Sequence, residues 1–184
     1  IGFKNIKKPE TKNFSHLKAN ELPEFMNKLE QHNSLLMKLA VKLLIYTIVR
    51  PGELRFAKWE EFDLERAEWN IPAERMKKSR EHIIPLSEQA IAVLNELKAI
   101  TGDTVLLFPG QKRITQPISD VALIKAVRSL SGHKASPHGF RHTFSTVTNE
   151  YGFNYDHIER QLSHVEENKI RGTYNKAQYL EPRR

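Results

Sequence analysis

Cysteine is missing altogether from this chain of 184 residues. Disulfides, thiolate zinc sites and a cysteine nucleophile are excluded with it. Long apolar runs are missing too: the longest, residues 35–49, is interrupted by Lys38 and Lys42, so nothing in it is built to span a bilayer. There is no signal-like start, no internal repeat and no low-complexity segment. The first residue is Ile1 where a complete protein has Met, which reads as a piece of a longer, cytoplasmic protein. Acidic residues are in deficit, 22 against 29 Lys and Arg, for a formal charge of +7 and a pI near 9.6. That balance points to an anionic partner such as nucleic acid or a membrane surface. The length bounds one domain, long enough to bury roughly two thirds of its extended-chain surface.

One stretch organises the rest: Ser136-Pro137-His138-Gly139-Phe140-Arg141-His142. Ser136 is a suitable N-cap and Pro137 fits the first helical position, where its missing N–H and fixed φ are tolerated. His138 and Arg141, three apart, then share one face of an opening turn. Unpaired N–H groups and a positive dipole end attract anions there, so the added imidazole and guanidinium suit a phosphate.

Taken in order, residues 1–14 read as an entry segment with Lys4, Lys7, Lys8 and Lys12. Asn20 is a candidate cap for a helix to about residue 32, and residues 34–48 carry too many leucines for a surface helix and so read as central to the core. Arg50-Pro51-Gly52 stops that helix, and a short one is predicted from Glu53 to Lys58. Arg50 is thereby held at the core edge by stiff backbone, either as an ion-pair partner of Glu53 or as an anion clamp. Residues 68–71 and 82–86 have strand character and predict a β-hairpin with a cationic tip containing Arg75, Lys77, Lys78 and Arg80. A lysine on such a tip can reach into a cleft as a proton donor. Further helices are predicted from Ser87 to about residue 100, from Ser119 or Asp120 to about 130, after His138 to Gly152, over 155–162 ending at Ser163-His164, and over 168–177 with Lys169, Arg171 and Tyr174. Glu181-Pro182-Arg183-Arg184 reads as a polar tail.

Each of these cations is ambiguous alone. In order they are not: Arg50-Pro51-Gly52-Glu53-Leu54, Lys77 eight residues before Pro85-Leu86, His138-x-x-Arg141, Leu162-Ser163-His164, and Tyr174 ten residues after His164. This set resembles the catalytic domain of the tyrosine recombinases, the phage-integrase family, and its local wording is similar to prophage and genomic-island integrases. The resemblance covers residues 15–184. It implies a mainly α fold with a small antiparallel sheet, and a fuller protein whose N-terminal DNA-binding domains are absent from this chain.

It also implies roles. Tyr174 attacks a scissile DNA phosphate to give a 3′-phosphotyrosyl intermediate and a free 5′-hydroxyl, with strand exchange and religation for integration or excision of a mobile element. Arg50 and Arg141 clamp the non-bridging oxygens, Lys77 is the general acid, His138 is base or hydrogen-bond donor, His164 is a second donor, and Glu53 orients Arg50. Lys78 competes with Lys77 for the acid, and His164 has the alternative use of a helix C-cap. Arg75, Lys78, Arg80, Lys169 and Arg171 are expected to contact DNA. No cofactor or metal is expected; His138 and His142 invite an HxxxH metal reading, but Gly139 replaces the glutamate of H-E-x-x-H. Partners implied are double-stranded DNA at attachment sites, a homotetramer in the synaptic complex from a monomer when isolated, and accessory DNA-bending proteins, in a bacterial or phage-encoded cytoplasmic protein without membrane contact. The competing readings are a non-catalytic DNA-binding module and a type IB topoisomerase-like enzyme.

Overall fold

The molecule is built round helix α2, Leu35–Thr47, in a computed structural model that describes residues 15–164, 175 and 177–184. Ser34 caps α2 by accepting the Met37 N–H at 3.3 Å. Leu39, Ala40, Val41, Leu43 and Leu44 are all buried, so the helix is apolar on more than one face, as a central helix must be. It ends at Ile48, a β-branched residue held in left-handed backbone at φ 56°, whose N–H closes on the Leu44 carbonyl.

The other helices lie against α2 as amphipathic elements. Helix α1, Leu22–Glu30, buries Phe25 and Leu29. Asn20 does not cap it: a 3-10 turn, Ala19–Glu21, leads in, and the Glu21 carboxylate takes the Lys18 N–H at 2.9 Å instead. Helix α3 is the short Pro51–Arg55. Helix α4, Glu88–Thr101, is capped by Ser87 and packs Ala90, Val93, Leu94 and Leu97 into the core. Helix α5, Asp120–Leu130, is capped by Ser119 and buries Leu123 and Val127.

A three-stranded antiparallel sheet in the order β1-β2-β3 covers one side: β1 Phe62–Asp63, β2 Glu68–Ile71 and β3 His82–Pro85. The β2–β3 hairpin follows the sequence reading, with Trp69 opposite Ile84 and both buried. The two-residue β1 is not legible in the sequence, because two residues show no alternation.

Helix α6, Gly139–Glu150, carries the His138–Arg141 turn at its start. Helical bonding begins three residues later than Ser136, yet Ser136 keeps its capping role, its hydroxyl accepting the Gly139 N–H at 3.2 Å. The incoming chain crosses this turn: Ser136 N–H donates to the Ser15 carbonyl at 3.0 Å and Thr143 Oγ1 to the Leu17 carbonyl. Only glycine fits beneath it, since a Cβ on residue 139 would lie 2.1 Å from the Ser15 oxygen. Helix α7, Tyr155–Gln161, follows. The expected polar tail is instead a helical turn, α8, Leu180–Arg183, docked on β3 and α7 because Arg183 finds buried acceptors there.

The core makes a stability contrast measurable. Leu94 is 0% exposed and Val121 is 69% exposed. Leu94→Ala is expected to lower the unfolding free energy by about 2–5 kcal/mol and Val121→Ala by less than about 0.5 kcal/mol, read from urea denaturation midpoints.

Candidate active site

Two arginines meet at one turn. Arg141 is 6% exposed, and its guanidinium donates to the Ile48 carbonyl at the end of α2 (2.6 Å) and to the Leu162 carbonyl at the end of α7. Arg50, from the opposite side of sequence, donates to the next carbonyl, that of Ser163, at 3.4 Å. Ser163 lies in left-handed backbone at φ 51°, which turns His164 back so that its Nε2 stands 3.4 Å from Arg141 Nη2. Because arginine only donates, this His164 nitrogen accepts, and Nδ1–H donates to the Glu159 carboxylate at 2.9 Å.

Arg50 shows why the sequence places it so firmly. It is the residue before Pro51, in extended backbone at the N-cap of α3, and Glu53 at the third helical position accepts both its N–H (2.7 Å) and its Nη1 (2.8 Å). The two readings of Arg50 are thus compatible: the Glu53 pair fixes the side chain, which remains 28% exposed toward a cavity. That cavity, about 470 Å³, takes Arg50, Lys77 and His164 of the expected site into its lining, with the acids Glu81, Asp156 and Glu159 among the cations Lys78, Arg80 and Arg160, and with Asn175 and Tyr179; His138 and Arg141 do not line it. A larger one, about 800 Å³, between the α1–α2 turn, the 110–119 loop and α5, touches none of the motif residues.

The field in this region is positive. Burial and then the Arg50 charge push the Arg141 guanidinium down to about 10, still charged at neutral pH. Burial, followed by the charges of Arg141, His142 and Arg50, lowers the half-buried His138 imidazole below its usual value, which favours its neutral form. Lys77 and Lys78 are exposed on the turn between β2 and β3. Tyr174, Lys169 and Arg171 lie outside the described residues.

The Phage integrase family matches residues 15–181, nearly the whole chain. The chain belongs to the phage integrase family. Prophage integrase IntZ of Escherichia coli (strain K12) is 43% identical over 168 residues, covering 90% of this chain and 41% of that protein. Prophage integrase IntA of the same strain is 37% identical over 184 residues, covering 98% and 44%. The integrase of Enterobacteria phage P4 is 38% identical over 193 residues, covering 95% and 44%. The chain therefore spans less than half the length of these relatives. Among solved structures it is similar to XerH site-specific recombinase bound to difH substrate in a pre-cleavage complex, with TM-score 0.73, 21% identity, and coverage of 96% of this chain and 53% of that one. It is also similar to a lambda integrase dimer bound to a COC′ core site, with TM-score 0.68, 17% identity and coverage of 97% and 51%. The fold is that of the tyrosine recombinase catalytic domain, mainly α with a small antiparallel sheet. No described helix is long and apolar enough to cross a membrane.

One residue expected to contact DNA is otherwise engaged. Arg75 donates through Nη1 to both oxygens of the Glu61 carboxylate and through Nη2 to the Glu53 carbonyl, and its side chain is only 15% exposed. Two acceptors in a buried position outcompete solvent for the guanidinium, so Arg75 faces inward while Lys78 and Arg80 stay exposed beside the cavity. His142, the other half of the HxxxH pattern, stacks on the His16 ring at 5.5 Å. Among the described residues no three metal-ligating side chains come together.

Residues that sequence reasoning missed hold the site from behind. Gln161 is the hub: its Nε2 donates to the Thr47 carbonyl (2.9 Å), its Oε1 accepts from Arg183 (2.8 Å), and its carbonyl accepts from His82 Nε2 (3.3 Å). A glutamine on a short amphipathic helix gives no signal of this in sequence. Burial, then the charge of Arg183, pushes the His82 imidazole down to about 3.

His82 gives the fold a testable acid sensitivity. The folded ring stays neutral while the unfolded ring titrates near 6.5, so the unfolded chain takes up the proton first as pH falls. The stability His82 contributes is present above about pH 6.5 and is lost as pH falls toward 3, at up to about 1.4 kcal/mol per pH unit. In His82→Phe, urea midpoints measured between pH 6.5 and 4 should fall less steeply than in the parent; equal slopes would assign the effect elsewhere.

Proposed function

We propose that this chain is the catalytic part of a site-specific DNA recombinase in which Tyr174 attacks the scissile phosphate and leaves a 3′-phosphotyrosyl bond and a free 5′-hydroxyl. The observation that carries this reading is the convergence of Arg50 and Arg141 on successive carbonyls of the 162–163 turn, beside His164 and a cavity that Lys77 also lines. Asn175, the chain neighbour of Tyr174, lines that same cavity.

The chemistry follows from the charges. The phenol oxygen forms a bond to phosphorus as the 5′-oxygen departs, and negative charge grows on the non-bridging oxygens in between. Arg50 and Arg141 stabilise that charge as preorganised donors. The neutral form favoured at His138 suits it to take the phenol proton, and Lys77, on a turn reaching the cavity, supplies a proton to the departing 5′-oxygen. His164 adds a donor to the phosphate once its Nε2 carries a proton. Attack on the phosphotyrosine by a 5′-hydroxyl from another strand runs the steps backward and joins the new strand, which is how such an enzyme integrates or excises a mobile element.

The substrate on this reading is double-stranded DNA at attachment sites, with Lys78 and Arg80 beside the cavity, and Lys169 and Arg171 along the chain near Tyr174, contacting the backbone. The DNA-bound complexes of XerH and lambda integrase are in keeping with such a substrate. A homotetramer on two duplexes assembled from monomers, aided by DNA-bending proteins in a bacterial or phage-infected cytoplasm, completes the proposal, with residues 15–184 as the catalytic domain after an entry segment over 1–14.

A suicide duplex nicked next to the scissile phosphate tests it in the full-length protein. A covalent adduct mapping to Tyr174 is expected, and Tyr174→Phe should abolish it. Adduct formation by Tyr174→Phe would overturn the assignment. Relaxation of supercoiled plasmid with no recombinant product would favour the topoisomerase-like reading, and binding without any cleavage the DNA-binding module.

A further inference from the structure

We propose that Arg75 is a positioning residue that ties the Arg50 clamp to the loop bearing Lys77, an inference that rests on the recombinase reading above. Arg75 closes the 3-10 turn Ala73–Arg75 that leaves β2, and its guanidinium crosses to two other segments. One is Glu61, just before β1, whose carboxylate also accepts the indole N–H of the buried Trp69 at 2.9 Å. The other is the backbone carbonyl of Glu53, at 2.5 Å. The side chain of that same Glu53 holds Arg50 by its N–H and Nη1. A chain of contacts thus runs from the sheet, through Glu61 and Arg75, to the residue that aims Arg50.

The same residue sets the base of the tip. Met76, next in the chain, is 6% exposed, and beyond it Lys77 and Lys78 stand out on a turn closed by Ser79 N–H on the Met76 carbonyl at 2.9 Å. Lys77 is therefore two residues from an anchor that is rigid because three oxygens hold it. An exposed lysine on a hairpin has many rotamers, and fixing where its backbone starts limits how far it strays from a leaving oxygen. The fork geometry matters: three acceptors on two segments need the planar guanidinium, and a lysine ammonium could not span them. Arg75 thus fixes one distance, that between the charge clamp on α3 and the proton donor after β2.

The test separates this role from a phosphate contact. Arg75→Lys keeps the charge and loses the fork. In the full-length protein on the nicked suicide duplex, positioning predicts an adduct rate at saturating DNA lowered by about 10–100-fold with a DNA Kd changed by less than about 2-fold. Glu61→Gln, which leaves every DNA-facing cation in place, should lower the rate in the same direction. A phosphate contact predicts the reverse, with an unchanged saturated rate and, for Arg75→Ala, a salt slope of binding shallower by about 0.9; that result overturns the proposal. A duplex with sulfur as the 5′-bridging atom needs no proton on its leaving group. Recovery of Arg75→Lys on that duplex assigns the loss to Lys77, and a persisting defect assigns it to Arg50, either one supporting the bridge. The Arg50 Nε–H signal in a 15N–1H spectrum reads the bridge without catalysis and should move in both variants; an unmoved signal in folded protein counts against it. Parent protein that forms no adduct would instead sink the recombinase reading, a result distinct from a variant that matches an active parent.

Discussion

The structure depends on how Arg141 is buried. A guanidinium taken out of water is unfavourable unless its donors are met, and here they are met by the carbonyls that end two helices, α2 and α7. Those carbonyls are the partial negative ends of their helices, so each helix aims its own dipole at the cation. The solution differs from an ion pair in one respect that matters. Dipoles satisfy the hydrogen bonds without cancelling the charge, and the nearby Arg50 adds a second positive charge. Glu53 and Glu159 temper the field but bond to Arg50 and His164, not to Arg141. The Arg141 charge itself is therefore bonded to dipoles rather than to a carboxylate, which leaves it available to stabilise negative charge brought near it.

Ends of elements, rather than their faces, make this site. Ile48 and Ser163 both adopt left-handed backbone, where non-glycine residues are strained, and both carry carbonyls that arginines use. The strain is held by the packing on either side: Ile48 sits in a small apolar cluster with Ile158 and Leu162, separate from the main core. That cluster fastens the start of the arginine turn to the helix that presents His164. Gln161 then fastens the same helix to β3 and to the C-terminal turn through Arg183.

How much of this could be read from the sequence follows from distance along the chain. Arg50, Pro51 and Glu53 lie within one turn, so the Pro-Gly signal places the break after α2 and offers the Glu53 ion pair as one of two readings of Arg50, although the short helix starts at Pro51 and not at Glu53. Ser87 is a local cap legible by residue type, and of the two candidates Ser119 and Asp120 it is Ser119 that caps α5. His138 and Arg141 share a turn, and that also was legible. Arg75 was not, because its partner Glu61 lies 14 residues back, across a two-residue strand with no periodicity to announce it. Asn20 looked like a cap by residue type, but Glu21 reaches back to Lys18 first. The C-terminal turn was missed because Arg183 in a polar tetrapeptide resembles any solvated arginine until Gln161 and the Ile83 carbonyl are brought near by the fold.

The strand of chain over residues 15–17 holds a further consequence. A methyl group on residue 139 and the peptide oxygen of Ser15 compete for a single volume, so the two cannot coexist. The glycine in the middle of the His138–Arg141 turn is thus dictated by polypeptide more than a hundred residues upstream, and only while that polypeptide lies in place. In a chain trimmed beyond Leu17 that clash disappears, so the identity of the residue between His138 and Arg141 is tied to the path of a segment far away in sequence.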